Sequence, residues 1–392
     1  MVEAGHEVDL ICLGSPGQPR YERDGPVTIR RLPVPHQRGG WLSYLMEYSA
    51  FIIAAGAIAS RRHLRRRYDV VQVNTMPDAL FLAALVPRLL GARVLLDLVE
   101  SMPEFVATRF HVGMRHPAVR LTARVEQAGI RFADAVITCT EPMRQAFIVR
   151  GARAEKLAIV MNCYGLAYAD DPTAPRVEKD PKSESFTLIC HGTIEERYGL
   201  DILLRATHLL RDEIPGMRVK IIGDGTFRPA LSALRSELGL EEQVSISPGW
   251  LSMDELLRAI AAADVGVVAS KRDLCRDLVL CTKMFDYIGL RKPMVISRTR
   301  AVEEYFDESC AQMYTADDPA DMARAIRRLY ADPGRRAALA DSALRRSQNF
   351  RWQDQRERYQ GVIAALAAGR PQRAHHDAPS PPSYVKELAV HE

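Results

Sequence analysis

The stretch Phe186-Thr187-Leu188-Ile189-Cys190-His191-Gly192-Thr193 decides how this chain is read. Phe186 to Cys190 is a continuous apolar run, as a strand covered on both faces requires, and the glycine after it lets a backbone turn come close to a ligand. Thr193 to Gly199 leads into a helix whose apolar positions Ile202, Leu203, Ala206, Leu209 and Leu210 fall at helical spacing. Strand, glycine turn and helix in that order present unpaired N–H groups at a helix start, where phosphate is favoured by hydrogen bonding and by the dipole. The unit recurs. Arg218 to Ile222 runs into Gly223-Asp224-Gly225 and a helix from Phe227; Val244 to Ser247 runs into Gly249-Trp250 and a helix from Met253; Asp264 to Ala269 and Met294 to Ser297 read as further strands. Such alternation predicts a parallel sheet with ligands outside the carboxyl ends of its strands.

With 392 residues, 47% of them hydrophobic, the chain has material for two cores. A net charge of +4 is too slight to argue for nucleic acid. Cys12, Cys139, Cys163, Cys190, Cys275, Cys281 and Cys310 show no paired zinc spacing and mostly fall in or beside strands, so they read as reduced core residues of a cytoplasmic protein. The opening Gly5-His6-Glu7 followed by Val8 to Leu13 reads as a helix end and then a second strand, so a first strand and its glycine loop are expected ahead of it. No secretory signal pattern opens the chain.

The first half repeats the alternation, with strands at Asp69 to Asn74, Ala92 to Leu98, Asp134 to Thr140 and Lys156 to Asn162, and helices at Asp78 to Leu90, Pro117 to Phe132 and Glu141 to Arg150. The expected organisation is a domain over 1–165, a linker over 166–185, a second domain over 186–348, a helix over 349–368 packing back across the domains, and a disordered tail over 369–392. Trp41 to Ala59 is mostly apolar and is followed at once by Arg61-Arg62-His63-Leu64-Arg65-Arg66-Arg67. It is marginal in length for a spanning helix. Two readings stand for 41–67: an amphipathic helix on an anionic membrane surface, at the inner face of the plasma membrane, or a core helix ending in a solvated basic turn.

Taken together, DVVQVNTMPD (Asp69 to Asp78), LDLVESMPE (Leu96 to Glu104), ICHGTIEERYGLD (Ile189 to Asp201), IIGDGTFRP (Ile221 to Pro229) and TKMFDYIGLRKPMVIS (Thr282 to Ser297) resemble retaining glycosyltransferase family four, in its bacterial surface-polysaccharide branch. That resemblance implies the α/β GT-B fold, two Rossmann-like doubly wound domains facing across a cleft. It implies transfer of a sugar from a nucleoside diphosphate to a lipid-linked or saccharide acceptor, with no cofactor and no metal.

The family signature is two glutamates separated by seven residues, the second holding the donor ribose. Asp286 stands at that second position, whereas the first falls on Leu278, beside Asp277. Lys283, one turn before Asp286, and the amides of Cys281, Thr282 and Lys283 are assigned to the leaving diphosphate. Where relatives carry an arginine and a lysine, this chain has Thr193 and Tyr198, so Arg197 is expected to substitute. Gly192, Gly223, Gly249, Trp250 and Leu251 complete the implied donor site. On the acceptor side the resemblance points to Asn74, Asp78 and Glu104, with Glu100 as a catalytic candidate where relatives place a histidine and this chain has Val99. Plain structural readings compete with several of these: a surface pair for Lys283 and Asp286, a turn for Gly223-Asp224-Gly225, a satisfied buried residue for His191, and helix caps for Asp78 and Glu100. With no dedicated base in view, front-face attack with the departing phosphate taking the acceptor proton is the simplest mechanism. A nucleotide-sugar epimerase on the same fold and a catalytically weak relative are the alternatives.

Overall fold

The computed structural model describes residues 1–15, 17–34, 41–163 and 185–369. The chain divides into two compact units, one of residues 1–139, 143–160 and 356–392, the other of residues 140–142 and 161–355. Apart from Ser185 and Gly369, the expected linker and tail lie outside the described residues.

In the first unit, β1 (Val8–Leu13), β2 (Tyr21–Asp24) and β3 (Val27–Leu32) form a sheet of order β1-β3-β2. α1 (Trp41–Arg65) follows as one continuous helix that includes the first arginines of the basic run. A second, parallel sheet orders β4 (Val70–Asn74), β5, β6 and β7 in sequence; α2 (Leu85–Leu89) precedes β5 (Arg93–Leu98), α3 (Met102–Phe110) and α4 (Pro117–Phe132) precede β6 (Ala135–Thr138), and α5 (Glu141–Val149) precedes β7 (Leu157–Ile159). The helix expected over 78–90 is instead a 3-10 segment, Asp78–Ala84, followed by α2. Pro87 lacks the amide an interior helical position must donate and is tolerated only in a first turn, so the α-helix begins just before it.

The second unit carries one sheet, order β10-β9-β8-β11-β12-β13, parallel throughout. Its strands are β8 (Phe186–His191), β9 (Met217–Ile222), β10 (Val244–Ile246), β11 (Val265–Val268), β12 (Met294–Ser297) and β13 (Gln312–Tyr314). Helices cover both faces. α6 (Leu200–Leu210) and α7 (Arg228–Glu237) close one core around Leu188, Val219 and Val267; α8 (Met253–Ala262), α9 (Lys283–Gly289) and α10 (Arg300–Tyr305) close the other around Ile189, Val268 and Ile296. α11 (Pro319–Ala331) and α12 (Pro333–Ser347) complete the unit, and α13 (Trp352–Ala367) lays Val362, Ile363 and Leu366 on Leu95, Ala135 and Ile137 of the first unit's parallel sheet.

α9 is placed by one residue. Tyr287 is fully buried, and its hydroxyl donates to the Ile189 carbonyl of β8 at 3.1 Å. The ring fits because β11 has Gly266 beneath it, where a methyl group would stand 2.4 Å from the Tyr287 Cγ. Gly266→Ala should therefore destabilise the protein by about 1–3 kcal/mol through overpacking, measured as a lowered urea midpoint with unchanged slope; an unchanged midpoint would show that α9 gives way freely.

Candidate functional site

The loops after β8 and β9 meet backbone to backbone. Gly192 donates to the Ile222 carbonyl at 2.9 Å, Ile194 donates to the Asp224 carbonyl at 2.9 Å, and Phe227 donates to the Ile194 carbonyl at 3.0 Å. A Cβ at Gly223, whose φ is +145°, would stand 1.9 Å from the Gly192 oxygen, so only glycine permits this approach. Gly223 is also tied to β10, donating to the Ser247 hydroxyl at 3.0 Å. Asp224 accepts from the Gly225 amide at 2.9 Å and lies 3.5 Å from Arg228, so this triplet is built as a turn that locks the floor of the site.

Lys283 lies on that floor, its Cε and Nζ each 3.5 Å from where a Gly192 Cβ would be. Its ammonium stands 4.9 Å from the centroid of the Tyr198 ring, the Arg276 guanidinium stands 4.9 Å from the same centroid, and that of Arg197 stands 5.4 Å from it. Among the described residues none of these three cations has a carboxylate within ion-pair distance. The ring quadrupole offsets part of the mutual repulsion, and a bound dianion would offset more. Arg197 thus shares the Tyr198 ring with Lys283. Arg276 was not legible: it sits in the irregular loop between β11 and α9, and its only sequence signal is position beyond a strand's carboxyl end.

Three buried polar atoms here have no hydrogen-bond partner: Arg276 Nε, His191 Nε2 and Asp286 Oδ1. Buried polar atoms are nearly always paired, so three together mark a place where a partner is to be supplied. His191 Nε2 lies 3.5 Å from Asp286 Oδ2 but is not aligned to donate. Burial, and then the charge of Lys283, push the imidazole down to about 3, leaving it neutral. It is therefore not the satisfied buried histidine expected. Burial pushes the Asp286 carboxyl up to about 7. Lys283 and Asp286 are both half-buried, and Asp286 lies against His191 rather than Lys283, which argues against the surface-pair reading.

Other expected residues fall around this centre with different strength. α9 is only seven residues long, and the amides of Met284 and Phe285 already bond to the carbonyls of Cys281 and Thr282 at 3.1 and 3.0 Å. So short a helix builds a small dipole, so an anion beside the Cys281–Lys283 amides would gain little from it. Likewise, α6 does not start at the glycine turn: Thr193, exposed, opens a seven-residue passage to it that contains the 3-10 turn Glu196–Tyr198. Gly249 receives the Ser247 hydroxyl at 2.6 Å, Leu251 packs on the core beside α8, and Trp250 is 63% exposed. Leu278 is buried, and its neighbour Asp277 accepts from Arg272 Nε at 3.2 Å and the Arg300 amide at 3.0 Å, so it is already engaged.

In the first unit, Asn74 is exposed and bonds Gln72 at 3.1 Å; Asp97, half-buried and pushed up to about 6 by burial, bonds Gln72 at 3.3 Å. Glu100 is half-buried after β5, and Ser101, not Glu100, holds the cap position of α3. Glu104 does not present itself to an acceptor. It is buried, bonded by Arg150 Nη1 at 2.6 Å and by the Ser101 hydroxyl, while Arg150 also holds Glu126 at 2.8 Å. Burying charge demands such pairing, so Glu104 is a structural residue. Asp78 is buried nearby and both its oxygens lack hydrogen-bond partners. Burial first, then the Glu126 charge, push its carboxyl up to about 8.

Among the described residues, no group of three or more His, Cys, Asp or Glu side chains is arranged to hold a metal ion. Two family models match: Glycosyl transferase 4-like domain over residues 1–163 and Glycosyl transferases group 1 over residues 185–332. A D-inositol 3-phosphate glycosyltransferase of Kineococcus radiotolerans is 28% identical over 319 residues, covering 75% of this chain and 71% of that protein. The putative colanic acid biosynthesis glycosyl transferase WcaI of Escherichia coli is 26% identical over 317 residues, 75% of each. The fold matches sucrose-phosphate synthase from Thermosynechococcus elongatus at a TM-score of 0.72 and 19% identity, over 94% of this chain and 91% of that one. It matches Anabaena HepE in complex with UDP-glucose at a TM-score of 0.66 and 16% identity, over 91% and 99%.

Asp78 gives a stability test. Because its folded-state carboxyl titrates near 8, above the ordinary carboxylate range, the neutral form contributes stability at low pH that is lost as pH rises from about 4 through about 8. Asp78→Asn removes that loss, so the variant's advantage over wild type should widen between pH 5 and pH 8, by at most about 1.4 kcal/mol per pH unit. Urea unfolding at both pH values measures it, and a pH-independent difference would contradict the burial argument.

Proposed function

From the chain's membership of the family-four glycosyltransferases of the GT-B fold, we propose that it moves a sugar from a nucleoside-diphosphate donor, with retention, to a lipid-linked or saccharide acceptor in surface polysaccharide synthesis. The observation that carries this reading is the set of three unpaired cations on the Tyr198 ring, one of which, Lys283, stands one helical turn before a half-buried Asp286 with an unpartnered oxygen. Cations without carboxylates suit a diphosphate, and a carboxylate with a free oxygen suits a ribose diol. HepE of Anabaena, which shares the fold, is in complex with UDP-glucose, which supports a nucleotide sugar here. WcaI, a putative colanic acid biosynthesis enzyme, supports the polysaccharide role.

In the proposed reaction the bond from the anomeric carbon to the diphosphate oxygen breaks while the acceptor oxygen bonds to the same face of the sugar. The departing phosphate takes the acceptor proton, and Lys283, Arg276 and Arg197 stabilise its charge. His191, held near 3 by burial and then by Lys283, is a weak proton acceptor. Glu100 and Asn74 remain the first unit's candidates for sugar hydroxyls, and neither role needs a metal. A second reading, a catalytically weak nucleotide-sugar binder, draws on Leu278, whose buried side chain replaces the first signature carboxylate, and on Asp277 being engaged elsewhere.

Titration calorimetry with UDP and GDP tests the site. Lys283→Ala and Arg276→Ala should each weaken the preferred nucleotide about 10- to 100-fold, the worth of a hydrogen bond to a charged group. Unaltered affinity in both would remove the site. Affinity should also fall as pH drops through about 7, when Asp286 takes up a proton and loses the charge that strengthens its hydrogen bonds, and Asp286→Asn should flatten that dependence. Transfer assays with proton NMR of the new anomeric centre decide retention, and binding without transfer favours the second reading.

A further inference from the structure

Gly56 of α1 lies against Ala83, where an added Cβ would be 3.3 Å from the Ala83 Cα, and Arg67 donates to the Leu90 carbonyl at 2.7 Å. Residues 56–67 and 83–90 therefore run side by side in the same direction. Roughly a quarter turn from Gly56 on one side of α1 lie the buried Ala55 and Ala59; roughly a quarter turn on the other lie Met46, Ile53, Ala57 and Leu64, all exposed. The neighbouring segment is arranged in the same sense. Ala84 and Pro87 are buried, and Leu82, Leu85, Val86 and Leu89 are exposed. Two neighbouring segments thus both carry exposed apolar side chains, with Ile53 at 72% and Leu89 at 76% exposure.

Their charge is of one sign. Arg61 and Arg65 project from the outer side of α1 with no ion-pair partner among the described residues. The only acidic residue between 41 and 67 is Glu47, which is buried, and 79–90 contains none. No helix among the described residues is long and apolar enough to cross a membrane. A second copy of the chain offers the same face no anion. A bilayer with anionic headgroups offers both an apolar interior and negative charge.

We propose that the outward face of α1, joined by Leu82, Leu85, Val86 and Leu89, seats the first unit on an anionic membrane surface. The inference adds to the transferase reading the place where a lipid-linked acceptor is met, but vesicle binding and nucleotide binding are read separately and either can fail alone. The test is co-sedimentation of the whole chain with phosphatidylcholine vesicles, with and without phosphatidylglycerol. Wild type should pellet with the phosphatidylglycerol vesicles and release at high salt. The double variant Leu85→Glu/Leu89→Glu should lose binding while keeping its circular dichroism and nucleotide affinity, and Arg61→Ala/Arg65→Ala should weaken binding on the order of ten-fold or more. Failure of wild type to pellet, or equal pelleting of the Leu85→Glu/Leu89→Glu variant, overturns the proposal. So does a shift of that variant from dimer to monomer in light scattering without loss of vesicle binding, which would assign the face to a second copy.

Discussion

Everything in the candidate donor site rests on two backbones touching. The loops that end β8 and β9 approach so closely that Gly223 can carry no side chain, and three main-chain hydrogen bonds fasten them. That fastening makes a flat floor at Gly192. Lys283 lies along the floor, and Tyr198, one passage further on, becomes the surface against which Arg276 and Arg197 gather. From the other side Tyr287 fixes α9 to the β8 backbone, so the lysine and the aspartate one turn apart are delivered to the same place. The geometry is thus set by buried contacts with no chemistry of their own.

Buried charge is treated in opposite ways at two places. At the first, Arg150 sits among Glu104, Glu126 and Ser101, and these ionic groups satisfy one another. Such a network holds α3 and α4 in register and has nothing left to offer a ligand. At the second, cations crowd one ring and polar atoms stay unpartnered, an arrangement that costs stability until something binds. The contrast separates Glu104 from Lys283, although both are charged residues in motifs of similar strength.

Much of this was legible. β8 and β12 could be read because both faces of a doubly covered sheet must be apolar, and α4 and α13 because their periodicity is long and, in α4, a proline opens the helix. The hairpin of β2 and β3 was missed because β2, Tyr21–Asp24, is exposed throughout and carries no alternation. The pairing of Glu104 and the place of Arg276 could not be read for a shared reason: each is decided by a partner far away in sequence, Arg150 and Tyr198 respectively. Local pattern shows where a strand ends; it does not show which side chains meet there.

The brevity of α9 has a consequence for how such chains diverge. Where a long helix offers its backbone to a phosphate, recognition survives most substitutions, since every residue type but proline supplies the same amide. In the proposed donor site a seven-residue helix would leave that task to a few individual side chains. One codon change can then silence or restore the pocket without disturbing the scaffold, and lineages built this way can wander between working catalysts and inert look-alikes in very few steps.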